Sequence, residues 1–93
     1  MLSIRWTVEA LEDLGQLIDY IAEHNVWAAQ TMFEVIENAI IPASITPFLF
    51  RTGREAGTRE IVAHPNYIVV YRILEDGIEV VSVVHARQRY PSD

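Results

Sequence analysis

The chain contains neither cysteine nor lysine. Without cysteine there is no disulfide, no thiolate metal ligand and no cysteine nucleophile, a composition that fits a cytosolic protein. No apolar run approaches the roughly 20 residues that a membrane-spanning helix requires. The N-terminus also lacks the basic stretch and apolar core of a secretion signal. A soluble, cytoplasmic protein with no membrane partner is therefore expected. The three histidines, His24, His64 and His85, are scattered rather than set at metal-ligand spacing, so no metal site is expected. No cofactor is expected either.

What is present supports one folded unit. A chain of 93 residues suffices for a single domain over residues 1–93 and leaves no room for a second. With 51% hydrophobic residues it can build a core, which argues against intrinsic disorder. The net charge of −6 weighs against a nucleic-acid partner, because phosphate binding is mainly electrostatic. The distribution of that charge is uneven. Residues 1–50 hold Arg5 against seven acids, whereas residues 51–93 hold six Arg against six acids. Arginine presents a planar fork suited to phosphate or carboxylate. The second half therefore either carries a recognition surface or reflects a bias toward Arg codons.

The pattern along the chain predicts an α+β domain. Leu2–Trp6 is short and β-prone, a first strand. Thr7 is placed as an N-cap, with Glu9 in the first turn where a helix favours an anion. Leu11, Leu14, Leu17, Ile18 and Ile21 then recur at helical spacing to about His24. The opposite stripe of that helix is acidic and has no Lys to offset it, so it is either a solvated face or the contact of a basic partner. Asn25 opens a second helix whose apolar stripe includes Ala29, Met32, Phe33, Ile36 and Ile40, and the two helices should form a hairpin. Pro42 should end or kink that helix near Ile41. A loop over Phe48–Gly57 follows. Three strands come next: Thr58–Ala63, Tyr67–Leu74 and Ile78–His85. His64-Pro65-Asn66 and Glu75-Asp76-Gly77 form the turns between them, and the Asp-Gly pair favours a tight hairpin. Tyr67–Leu74 is nearly all apolar, as a central strand buried on both faces would be. The order is β-α-α-β-β-β, a helical hairpin packed on an antiparallel sheet, with Ala86–Asp93 as a polar tail. Trp6, Trp27, Phe33, Tyr67 and Tyr71 are expected to pack in the core.

Several local motifs stand in a fixed order along this frame. Ala10, Leu11, Asp13 and Leu14 form an "A…DL" helix opening, continued by Asp19-Tyr20-Ile21. Gly53-Arg54 precedes Gly57-Thr58-Arg59-Glu60-Ile61. The central strand reads Tyr67-Ile68-Val69-Val70-Tyr71-Arg72, and the end reads His85-Ala86-Arg87-Gln88-Arg89-Tyr90-Pro91. Together these resemble the RelE/ParE superfamily of type II toxin–antitoxin modules, with Tyr90 in place of the usual Trp. The resemblance implies a growth-inhibiting toxin, of the kind associated with plasmid stabilization, neutralised by a cognate antitoxin that is disordered in part. It leaves two targets. ParE-like members poison DNA gyrase, whereas RelE-like members cut mRNA on the ribosome. The nuclease branch carries a basic residue where this chain has Ile68, and it also uses lysines, which this chain lacks. The ParE-like activity is therefore the expected one, with an mRNA endonuclease or a non-toxic antitoxin-binding member as alternatives.

Candidate site residues follow from the same motifs. Arg54, Arg59, Arg87 and Arg89 are candidates for contact with the target; Arg54 and Arg59 alternatively pair with Glu55 or Glu60. Were the chain a ribonuclease, Arg59, Arg72, His85, Arg87 and Tyr90 would surround the phosphate, with His85 as the acid–base group. The bland reading of His85 is a hydrogen-bonded strand end. Arg72 either emerges into a basic patch or must be paired, since a lone buried charge is costly. Leu14, Ile18, Phe48 and Phe50 are expected to meet the antitoxin, the two Phe because they sit beside the Arg cluster.

Overall fold

A computed structural model describes residues 1–90 of the chain. The elements run β1 (Ser3–Trp6), α1 (Val8–Ala22), α2 (Val26–Ala39), α3 (Ile41–Ile45), β2 (Arg51–Thr52), β3 (Thr58–His64), β4 (Tyr67–Ile73) and β5 (Gly77–His85). Both expected caps form: Thr7 Oγ1 accepts from Ala10 N–H and Asn25 Oδ1 from Ala28 N–H, each at 3.0 Å. The chain does not resume an irregular path at Pro42. It starts the short helix α3, with the proline in the first turn, where its missing N–H costs nothing. No helix among the described residues is long and apolar enough to cross a membrane.

The five strands form one sheet in the order β1-β5-β4-β3-β2. The expected antiparallel sheet is corrected to a mixed one, because β1 pairs with β5 in parallel, Ser3 opposite Gly77 and Trp6 opposite Val80. A meander through β2, β3, β4 and β5 returns the last strand beside the first in the same direction. Close approach at this seam depends on Gly77, where a Cβ would lie 2.7 Å from the Ser3 carbonyl oxygen. The loop expected over Phe48–Gly57 contains β2, a two-residue strand on the outer edge of β3.

Strand alternation divides β4 between two faces. Tyr67, Val69 and Tyr71 point into the core shared with Leu14, Ile36 and Ile40 of the helices. Ile68 and Val70 point to the other face, where Val84 and Tyr90 cover them. Among the described residues no helix lies on this second face; residues after β5 turn back across it, with Ala86 N–H bonded to the Asn66 carbonyl at 2.7 Å. The polar tail is thus partly a cover, and its last three residues, Pro91 included, lie outside the described ones.

Three side chains depart from the expected packing; one is Phe33, assigned to the core, which is 38% exposed and lines an open groove between the two helices. Trp27 was assigned to the core, yet it is 76% exposed. The buried line of α2 runs through Ala29 and Ile36, and a residue two positions before Ala29 lies about 200° round the helix from it. Leu14, one of the residues expected to meet an antitoxin, is only 5% exposed and packs with Ile36 and Ile40 in the core. It is spent on the sheet.

The last detail of the frame is Asp13. The β5 strand bulges at Val81, and its outer edge beyond Val80 has no neighbouring strand among the described residues. Asp13 Oδ2 accepts from Ser82 Oγ and Val83 N–H there, each at 3.0 Å, and so satisfies a ladder donor that no strand reaches.

Candidate functional site

The arginines of the second half are held by the fold through specific acceptors. Glu60 of β3 is the hub, with its side chain only 3% exposed. Arg51 of β2 grips it, Nε and Nη2 each 2.9 Å from Oε1. Arg54 donates its backbone N–H to Oε2 at 3.3 Å, with its guanidinium 3.8 Å away. The same guanidinium lies 4.5 Å over the Tyr90 ring and donates to the Gln88 carbonyl at 3.3 Å. Arg54 therefore ties the returning C-terminal segment to the β2–β3 loop. That loop is pinned by Gly57, whose φ of 79° is left-handed.

Arg59 works on the helix-bearing face. Its Nη1 donates to the carbonyls of Phe48 at 3.2 Å and Phe50 at 2.7 Å, and its guanidinium lies 5.1 Å from the Phe48 ring centre. Beside it, the Tyr71 hydroxyl donates to the Pro47 carbonyl at 2.5 Å. Burial pushes the Tyr71 phenol above its ordinary pKa, and the nearby Arg59 charge opposes that rise. Residues 47–50 are thus fastened from beneath, with Phe48 and Leu49 outermost at 70% and 74% exposure. Phe50 is half-buried edge-on against Tyr71, so of the two phenylalanines expected at a partner surface only Phe48 is fully presented. Leu49 was missed; the signal was its place between two phenylalanines.

The five residues of the ribonuclease alternative do not converge. Arg59 pairs with Tyr71 and His85 with Tyr67, which puts both on the helix-bearing face. Arg72 and Tyr90 lie on the opposite face with Ile68 and Val70. Arg72 is engaged, donating to the Ala56 carbonyl at 3.3 Å and reaching Glu55 at 3.9 Å. His85 Nδ1 accepts the Arg87 N–H at 3.1 Å and closes the turn after β5. Tyr90 is buried. Arg87 and Arg89 are exposed and have no ion-pair partner among the described residues.

Residues 4–90 match the family described as ParE toxin of type II toxin-antitoxin system, parDE. The chain belongs to the ParE toxin family. Relatives agree with that placement. Y4kP, a toxin candidate of Sinorhizobium fredii, is 38% identical over 89 residues, spanning 95% of this chain and 92% of that one. Toxin RelE2 of Caulobacter vibrioides is 31% identical over 86 residues, 92% of this chain and 97% of its own. A chain of the chromosomal ParDE system from P. aeruginosa shares the fold, with a TM-score of 0.79 at 19% identity over 91% of this chain and 96% of its own.

The other surface this ParE-family toxin offers is its helical hairpin. A groove between α1 and α2 is lined by Ile18, Ala22, Val26 and Phe33 and edged by Glu34 and Glu37. Ile18, expected at an antitoxin contact, is half-buried in it. The acidic stripe of α1 runs alongside, and no basic side chain occurs between Arg5 and Arg51.

Proposed function

We propose that this type II toxin arrests bacterial growth by binding DNA gyrase through its protein surface, and that a cognate antitoxin neutralises it in the cytoplasm. The observation that carries this reading is the separation of Arg59 and His85 from Arg72 and Tyr90 by the sheet itself. Cleavage of a phosphodiester needs donors and an acid–base pair gathered within hydrogen-bond reach of one phosphate. Here Arg59 and Arg72 are engaged with carbonyls and a carboxylate of the fold, and Arg87, the third arginine, has no ion pair among the described residues.

A contact surface, in contrast, is well supported. Phe48 and Leu49 stand out on a segment made rigid by Arg59 and Tyr71. Aromatic and arginine side chains held in place in this way are the usual composition of interface hot spots, since little entropy is lost on binding. Further candidates for target contact are Arg87 and Arg89, exposed on the segment after β5, and Arg54, which holds that segment through Tyr90. The groove between the helices suits the antitoxin: an amphipathic segment that folds on binding would cover Ile18 and Phe33 and set basic residues against Glu34 and Glu37.

The test is a gyrase supercoiling assay run beside a translation-dependent mRNA cleavage assay on the purified toxin. Inhibited supercoiling with intact message supports the proposal. Message cleavage that disappears in Arg87→Ala replaces it with the nuclease reading. Unimpaired growth on induction of the chain alone would make it a non-toxic, antitoxin-binding member.

A further inference from the structure

The face of the sheet away from the helices is covered by a short piece of chain, residues 86–90, that turns back over it after β5. The turn is local. His85 Nδ1 accepts the Arg87 N–H at 3.1 Å, the His85 carbonyl accepts the Gln88 N–H at 2.8 Å, and Gln88 Oε1 accepts the His85 N–H at 3.3 Å. A single backbone bond, from the Ala86 N–H to the Asn66 carbonyl at 2.7 Å, ties the root of the segment to the neighbouring turn. Beyond that root, among the described residues, side chains hold the segment down.

One hold is the Tyr90 ring, which packs with Ile68, Val70 and Val84 and buries them. The other is Arg54, whose guanidinium lies 4.5 Å over that ring and donates to the Gln88 carbonyl at 3.3 Å. Arg54 is footed in turn on Glu60 through its backbone N–H, so one side chain joins the β2–β3 loop to the end of the segment. Because the Arg54 side chain is 45% exposed, this hold is reachable from solvent even with the segment down. The Tyr90 hydroxyl works against both holds. It is sealed from solvent and has no hydrogen-bond partner among the described residues. A buried hydroxyl without a partner is unfavourable, and lifting the segment lets water satisfy it. The covered state thus carries a penalty that a lifted state escapes.

We propose that residues 86–90 form a strap that lifts from the sheet as a unit while the strands stay paired, and that Arg54 is its latch. No strand separates when the strap lifts, because the one backbone bond at stake is that between Ala86 and Asn66. Segments held by few backbone bonds open at lower free energy than the sheet they lie on. Lifting bares Ile68, Val70 and Val84 together, an apolar strip across β4 and β5, and in the same movement frees the Arg54 guanidinium. The device therefore couples exposure of one face of the sheet to the state of a single arginine on the β2–β3 loop. The inference is independent of the gyrase reading, because it rests on the contacts of the strap and stands whatever the toxin's target.

Thiol labelling tests it, because the chain has no cysteine of its own. Val70→Cys places a reporter beneath the strap, and Val80→Cys places one in the core between sheet and helices; the two valines are 1% and 0% exposed. If Val70→Cys fails to fold, Val84→Cys reports on the same face. With a chromogenic disulfide reagent under native conditions, the thiol at position 70 should react at least about tenfold faster than that at position 80, which waits for global unfolding. Adding Arg54→Gln removes a cation–π contact and a charge-assisted hydrogen bond, and should raise the first rate about tenfold and the second far less. Adding Tyr90→Phe removes the orphaned hydroxyl and should lower the first rate about fivefold. The proposal is overturned if the two thiols react at one rate or if Arg54→Gln speeds both alike. It is also overturned if Tyr90→Phe leaves position 70 equally reactive or makes it more so.

Discussion

Glu60 offers the sharpest test of how the arginines are used. Its carboxylate is nearly sealed from water, 3% exposed, and it holds Arg51 at 2.9 Å and Arg54 at 3.8 Å. Glu60→Gln keeps the shape and removes the charge. Breaking a fully buried ion pair costs about 3–5 kcal/mol, but the Arg51 and Arg54 side chains are 55% and 45% exposed and can recover hydration. The cost is then closer to that of a charge-assisted hydrogen bond, about 2 kcal/mol. For a domain of this size each kcal/mol lowers Tm by about 4–8 °C, so a drop of roughly 8–16 °C is expected by circular dichroism. Arg51→Gln should cost less, and the double variant should fall short of the sum, because both changes cut one contact. A Tm change below about 3 °C for Glu60→Gln, or strict additivity, would refute the idea that this carboxylate organises the loop.

Further expectations concern single side chains. Tyr71→Phe removes the hydrogen bond to the Pro47 carbonyl and should cost about 1 kcal/mol in a urea melt. Burial raises the Tyr71 phenol, so its contribution is complete below its ordinary pKa of about 10 and is lost as pH rises through the raised value. The phenylalanine variant should show a flatter alkaline limb in a pH series of melts; an unchanged limb would contradict the assignment. Asp13→Ala strips the acceptor from Ser82 and Val83 and should cost about 1–3 kcal/mol in the same urea melt, with faster hydrogen exchange confined to the outer edge of β5. His85→Asn preserves an acceptor for the Arg87 N–H and should leave growth inhibition intact, since His85 lies across the sheet from Arg72. Loss of toxicity in a folded His85→Asn variant would revive the nuclease reading.

Much of the frame was legible because local chemistry dictates it. Thr7 and Asn25 start their helices where a capping oxygen is needed, and Asp76-Gly77 turns β4 into β5 as that pair favours. The apolar run at Tyr67 marks the central strand because both of its faces are covered. The parallel pairing of β1 was hidden, since it depends on how many reversals the later strands make and not on β1's own residues. Leu14 and Ile18 share one helical stripe, and only docking on the sheet decides that the first is core and the second rim. Likewise Arg59 and Arg72 are separable only once strand register is known, and register is not written in an apolar strand. Tyr90 looked like a tail residue; its burial depends on the chain turning back across the open face, a tertiary event with no local signature.

The measurement that bears most directly on the whole account is the paired assay of the purified toxin against gyrase supercoiling and against a translated message. The account predicts that supercoiling is blocked and cleaved DNA accumulates at micromolar toxin, with the message left whole. Normal supercoiling together with a message cut during translation would contradict it.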